Sequence, residues 1–594
     1  MDVWVLNYAI MSGLASALSA AGFHLIFERA RFVNLAHGST VFLGGWLTVI
    51  LTEHFAGWEA GAFDWALAAV AVAVGLGAAA WIFDRVVLHR ARGKANVLVT
   101  LATLAVVAIV SRAAGAAIPD EAGGWVQATF DMGSQEGAVH TMFLFVLAGL
   151  TVAAWWIVRQ RVSIEDNTPA TRATDTALGT VFAALAGAAI AGNGGIVTEV
   201  WFDELAIAVI AVLFAGRFGI TAVMGTGAVV ALSAVFVSGH FDWESYRNVL
   251  SPFAIGAVVL ACLWKREATQ FQTTLPQPPG RRALALLGLA GAIGLAAVLM
   301  FEPSTFFAGD ATGMIGYMVG ETVRISILAL AAACLLAVLR AEGSVPFLLV
   351  AIHVLAVFGA ARLQISLGAA LLLAALMVLG AGAGLMMGWI SARLGSGATT
   401  LAGLALLLAA WPLTGVIDDT SFAEFSDSTL KGLQVVAILA ATLGIAILWY
   451  VPRFAGRVTP QTALWTVAGG LAALAGGLDG LLTAWSIPDL AWGFGLLSLM
   501  VEGGVQSWLG PVVGSVFHAS NQWALAGRPE LEWVAIFGSG ALAVLFTAFF
   551  PFGLSGRIER AIGFAGLERA SSTTESFGDT DGAEVDLDEP DLDI

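Results

Sequence analysis

The residues of this chain that could do chemistry are few and isolated. Asn34 and His37 sit in NLAHG, a short polar break between two apolar runs, with Gly38 directly after them. His353 lies inside FLLVAIHVLAVF, and Arg362 follows at the end of the same run. Catalysis by a nucleophile, acid or base needs such groups to converge, whereas His, Asp and Glu are here scattered among loops. No G-x-x-x-x-G-K-S/T phosphate loop occurs, so the chain does not bind and hydrolyse ATP in that manner. Cys262 and Cys334 are the only cysteines and both have apolar surroundings, which argues against a disulfide framework and a cysteine metal site. The expectation is a chain with no catalytic residue, no metal and no cofactor of its own. Asn34, His37, Gly38 and His353 are the candidates for a translocation path. Two readings of Asn34 and His37 stand open: a broken or re-entrant helix whose freed backbone groups need polar partners, or a plain helix-connecting turn.

The elements that must position these residues are membrane helices. Hydrophobic residues make up 58% of the chain, charged residues 12%, and the mean hydropathy is +0.86, which excludes a soluble globular domain. Runs such as Trp65 to Phe83, Met142 to Val158 and Ala283 to Phe301 meet the requirement of about 17 to 20 apolar residues for one span. Roughly 16 to 20 such spans are expected, giving an all-α polytopic membrane protein of two homologous helical halves. The chain from Met1 runs straight into the first span and reads as a retained helix rather than a signal peptide.

Two stretches carry one glycine spacing. LFAGRFGITAVMGTGAVVAL holds Gly216, Gly219 and Gly227, and LMVEGGVQSWLGPVVGSVF holds Gly503, Gly504, Gly510, Pro511 and Gly514. The outer glycines superpose at one offset (503 − 216 = 514 − 227 = 287). Small residues in stripes let helices approach closely in lipid, so these glycines read as a helix-packing repeat and imply two halves packed alike. Basic residues gather at Arg85–Lys94, Arg159–Arg172, Lys265–Arg282, Arg453–Arg457 and Arg557–Arg569, and acidic residues dominate Pro119–Glu136 and Ile417–Asp427. The positive-inside rule assigns the first set to the cytoplasm and the second to the outside. The organisation is an N-terminal half, 1–268, a proline-rich cytoplasmic linker, 269–282, a C-terminal half, 283–566, and an acidic tail, 567–594. From Ser571 onward the tail holds nine Asp or Glu and no Lys or Arg, which is the composition of a disordered solvated segment and accounts for much of the net charge of −16.

The segment Gly22–Ile50, with its Asn34-Leu-Ala-His37-Gly38 core, resembles the N-terminal signature of one permease subunit of the branched-chain amino acid ABC importers. The resemblance continues through the basic turn and following span of Asp84–Val110. The second half is similar to the partner permease subunit, best in Ser486–Gly514 and also in Gly380–Leu408 and Phe549–Arg560. The chain thus looks like the two membrane subunits of such an importer fused into one polypeptide. In AEGSVPFLLVAIHV it keeps only a trace of the partner's early G-x-S-L-G motif, and both cytoplasmic stretches are shorter than the family's coupling elements.

The resemblance implies transport of branched-chain or related small apolar amino acids across the cell membrane. It implies as partners cytoplasmic ATPase subunits, which would hydrolyse the ATP, an extracytoplasmic solute-binding protein and the lipid bilayer, with no role for nucleic acid. The acidic tail would lie in the cytoplasm. Candidates for coupling to the ATPase are Arg161, Glu165, Asp166 and Arg172 around Pro169, and Arg453 and Arg457 in the shorter second loop. Exposed charges there are expected to contribute little to folding. The absence of a repeated Asp, Glu or Lys in the spans weighs against a proton-coupled carrier. The alternative reading is a permease-derived protein no longer coupled to an ATPase, acting as a passive carrier, channel or assembly partner.

Overall fold

A computed structural model of the chain describes residues 3–56, 61–92, 96–117, 125–126, 138–163, 168–194, 196–197, 200–238, 243–263, 281–300, 311–363, 368–410, 427–454, 460–482, 490–505 and 507–525, with 553, 555, 556 and 558. Residues 269–280 of the linker, the acidic tail, Glu165, Asp166, Arg457 and most of the two acidic loops lie outside these residues.

The protein is an all-α polytopic membrane protein. Among the described residues nine helices are long and apolar enough to cross a bilayer, and four shorter apolar helices accompany them. The 16 to 20 expected spans exceed this set because helices such as Val200–Ala215 and Leu490–Gly503 are shorter than a full crossing, and because one 42-residue helix joins two spans across a break. The only strand pairing among the described residues is Trp125–Val126 with Ile196–Val197.

In the first half the helices are α1 (Val3–Leu25), α2 (Ala36–Ala56), α3 (Ala62–Phe83), a short α4 (His89–Arg92), α5 (Asn96–Ala117), α6 (Ala138–Ser163), α7 (Pro169–Gly194), α8 (Val200–Ala215), α9 (Ile220–Ser238) and α10 (Trp243–Leu263). In the second they are α11 (Arg281–Met300), α12 (Ala311–Glu342), α13 (Phe347–Leu363), α14 (Ala369–Ala410), α15 (Asp427–Phe454), α16 (Pro460–Leu482), α17 (Leu490–Gly503) and α18 (Gly510–Leu525). α14 breaks at Gly395, whose φ of 70° and ψ of 168° are not helical.

One small-residue helix organises each half. α7 packs on α1, α2 and α3, and α16 packs on α12, α13, α14 and α15. The stripe Gly179, Ala183, Gly187, Ala191 makes this possible. A Cβ on Gly179 would lie 2.6 Å from the Gly22 carbonyl, and one on Gly187 would run into the Val41 carbonyl. On α16, Gly476 meets the His353 carbonyl and Gly480 the Val357 carbonyl in the same way. Lipid tails are as apolar as leucine, so backbone proximity of this kind holds the helices together where hydrophobic burial cannot. The outward faces are correspondingly apolar: along α3, Phe63, Leu67, Val70 and Val74 are exposed while Trp65, Ala68, Val72 and Gly77 are buried.

The halves meet through a reciprocal contact. α8 of the first half packs on α14 of the second, and α17 of the second packs on α5 of the first. α10 adds to the joint, where the Ser251 hydroxyl donates to the Ala409 carbonyl at 2.9 Å. In chain order α8 corresponds to α17, and α5 to the part of α14 after Gly395. The two contacts are therefore the same contact with the halves exchanged, as an isologous interface requires.

Candidate translocation site

α1 does not turn directly into α2. It widens into a π-helical turn over Ile26–Ala30, ended by Arg31 in the left-handed region at φ 63°. Residues 32–35 then run buried, and α2 begins at Ala36. His37, two residues into α2, reaches back to residue 19 of α1, where its Nε2 lies 3.0 Å from the Ser19 carbonyl and 3.1 Å from the Ser19 hydroxyl. The segment 31–35 is a buried break in the helical path rather than a solvent-exposed connection.

A buried backbone with no helix needs partners for its N–H groups. α5 supplies them. The Val33 N–H donates to Thr100 Oγ1 at 3.2 Å and the Leu35 N–H to Thr103 Oγ1 at 3.0 Å, while the Thr103 hydroxyl donates to the Thr100 carbonyl at 2.7 Å. Asn34 and Gly38 are buried at the same break, and the edge of Phe23 meets the His37 ring at 5.3 Å.

The second half repeats the device. Gly343, at φ 67°, stands where Arg31 stands (343 − 31 = 345 − 33 = 312). The Val345 N–H donates to Thr400 Oγ1 at 3.0 Å on the helix that follows the Gly395 break, just as Val33 uses Thr100 on α5. By this register Leu349, not His353, corresponds to His37. His353 lies four residues deeper in α13, with Nε2 3.5 Å from Asp479 Oδ2 on α16. The structure thus brings Asn34, His37 and Gly38 together at one break and leaves His353 on a separate helix pair.

The spans also hold carboxylates that the sequence reading passed over. Asp203 and Glu204 are 5% and 4% exposed on α8, and the Ser16 hydroxyl of α1 donates to Glu204 Oε1 at 2.7 Å. Asp479 and Glu502 are buried in the second half, and Glu342 is half-buried, where the Ser391 hydroxyl donates to it at 2.5 Å. Acids are therefore embedded in the helices of both halves, contrary to the expectation from the spans' composition.

At the end of the bundle that carries the basic loops, two buried aspartates tie the first half together. Asp84 accepts two bonds from Arg92, at 2.6 and 2.7 Å, and one from the Thr176 hydroxyl at 2.7 Å. Asp175 accepts from Arg161 Nε at 2.7 Å and from Arg29 Nε at 3.4 Å. Arg161 is thus turned inward onto a fully buried carboxylate rather than projecting as a free loop charge, which corrects the view that its charge matters little to the fold. Arg172 stands among Arg92, Arg31, Arg29 and Asp84. Arg453 is in the last turn of α15, and its side chain lies outside the described set, as do Glu165, Asp166 and Arg457. In the second half Arg340 Nε donates to the Val505 carbonyl at 2.9 Å, and its guanidinium stacks 4.3 Å from the Trp508 ring, holding the α17–α18 turn.

An open cleft of about 730 Å³ is lined by His24 and Glu28 from the α1 end, Arg159 and Val162 from α6, and Arg217 and Phe218 from the α8–α9 turn. Phe218 is 60% exposed. This turn contains Gly216, at the head of a 3₁₀ segment, and Gly219, at φ 85°. Gly503 ends α17, and Gly504, at φ 107°, opens the corresponding turn before Gly510 and Pro511. Both glycine segments therefore straddle a helix–turn–helix junction. Their outer glycines then diverge: a Cβ on Gly227 would meet Ser16 and Ala20 of α1, and one on Gly514 would meet Leu499 and Gly503 of α17. The longer second turn shifts the register by three residues, since Gly227 is eighth in α9 and Gly514 fifth in α18. Three residues are about 300° of helical rotation, enough to change the packed face.

No protein family, curated protein or solved structure matches the chain.

Proposed function

We propose that this protein is the fused membrane-spanning permease of an ABC importer for branched-chain or related small apolar amino acids. The observation that supports it most is the pair of buried breaks, at 31–35 and 343–346, in two halves joined by a reciprocal contact. Irregular backbone at membrane depth is a feature of transporters, where it lines the path at the interface between repeats.

On this reading the basic end faces the cytoplasm, together with the acidic tail. Separate ATPase subunits dock there, and an extracytoplasmic binding protein delivers the amino acid from the other side. The cleft between Arg159, Arg217 and Phe218 is the ATPase contact of the first half, because it combines an exposed aromatic ring with flanking cations in a concave surface. The double substitution Phe218→Ala, Arg217→Glu tests this. Both residues are on an exposed turn, so insertion and the detergent-solubilised elution profile are expected to stay unchanged, while co-purification of the ATPase falls at least ten-fold. Undiminished co-purification would remove the cleft from the interface. If no ATPase co-purifies with the unsubstituted chain, the uncoupled carrier becomes the better reading.

A further inference from the structure

Glu204 is a carboxyl in an apolar helix of the bundle, four per cent exposed, and it forms no ion pair with a Lys or Arg among the described residues. Its Oε1 accepts from Ser16 at 2.7 Å, while Oε2 has no hydrogen-bond partner there. The described groups around it supply no positive charge. Asp203 adjoins it on α8 and is itself acidic. α1 presents Ser16 and Ser19 at this level, and α2 presents His37, bonded to Ser19. α9 carries no titratable residue, and neither does the stretch of α14 after Gly395 that packs on α8. On α10 the ionisable residues Glu244, Tyr246 and Arg247 belong to its first turns, whose side chains lie outside the described set.

An ionised carboxylate in such surroundings carries a solvation penalty far larger than that of a neutral carboxyl. We propose that Glu204 is a proton-binding site: the carboxyl is neutral in this arrangement, with the proton on Oε2, and Ser16, which bonds it, and the Ser19–His37 pair one turn along α1 mark the polar route from it to the N-terminal break. The ligand is a proton, taken up or released when the break rearranges. This holds whether or not an ATPase drives transport, so it neither rests on the importer reading nor fails with it.

Infrared spectroscopy of the full-length protein in lipid nanodiscs at neutral pH tests it, through the stretching band of a protonated carboxyl. Subtracting the spectrum of Glu204→Gln from that of the unsubstituted protein is expected to leave such a band, because glutamine copies the neutral carboxyl in shape but lacks the O–H. Ser16→Ala removes the bond to Oε1 and is expected to shift the same band while leaving helix content intact. It provides the readout if the glutamine variant folds poorly. A difference spectrum with no carboxyl band at neutral pH, or a band unmoved by Ser16→Ala, would overturn the assignment.

Discussion

Thr103 offers the sharpest test of the buried break. Its hydroxyl accepts the Leu35 N–H at 3.0 Å, and the whole of 32–35 is buried, so no water can substitute. Thr103→Val keeps the shape and removes the acceptor, leaving one buried N–H without a partner. That costs about 1–3 kcal/mol, roughly a 5- to 160-fold change in the folding equilibrium. Thr400→Val orphans the Val345 N–H by the same route and is expected to cost as much. Thr48 is the internal control. It is equally buried, but its hydroxyl only donates to the Gly44 carbonyl one turn back in its own helix, at 2.6 Å. Removing it leaves no donor unsatisfied, so Thr48→Val is expected to cost well under 1 kcal/mol. Chemical unfolding in mixed micelles followed by tryptophan fluorescence would rank the three, with Thr103→Ser restoring stability. If Thr103→Val proves no more costly than Thr48→Val, the hydroxyl is not holding the segment and the break is not built as described.

Asp84→Ala leaves the Arg92 guanidinium and the Thr176 hydroxyl facing a buried void, and a loss of about 3–5 kcal/mol is expected in the same unfolding assay. Arg161→Glu sets two carboxylates against each other at Asp175 and is expected to cut the yield of folded protein, which size-exclusion of the detergent extract would read; an unchanged profile would return Arg161 to the role of a free loop charge. Gly187→Val drives a side chain into the Val41 carbonyl and is expected to abolish the monodisperse peak, whereas Gly75→Ala, which meets nothing within 4 Å, is expected to be neutral or stabilising by about 0.5–1 kcal/mol. Single cysteines at Ser134 and Thr273 report orientation: membrane-impermeant reagent added to intact cells is expected to label the first and not the second, and the reverse would invert the topology.

What the sequence shows depends on how local each signal is. Span character is written in composition, and α3 or α14 can be recognised from its residues alone. The packing role of α7 was legible too, because a stripe recurring every fourth residue marks one face of a helix. The break at 31–35 showed itself as NLAHG, but its partners Thr100 and Thr103 sit 67 and 68 residues away and look like ordinary residues of an apolar span. The second break was harder still. Gly343 and Val345 share no residue type with Arg31 and Asn34 beyond the valine that matches Val33, and only the backbone angles and the threonine bond reveal the equivalence. Charges misled most. Arg161 read as exposed because it adjoins a polar loop, yet α7 begins by placing Asp175 directly beneath it. Asp203 and Glu204 lie near the start of their helix, where sequence alone does not show burial, and only the packing of α1 and α2 around them makes them interior.

The central claim is driven transport through the two joined halves, and reconstitution tests it directly. The full chain, co-purified with its cytoplasmic ATPase and reconstituted in proteoliposomes, would be supplied with leucine on its binding protein at the extracytoplasmic face and ATP at the other. Accumulation of leucine against its gradient that requires hydrolysable ATP is the predicted result. Leucine movement that proceeds at the same rate without ATP and only down its gradient would contradict it.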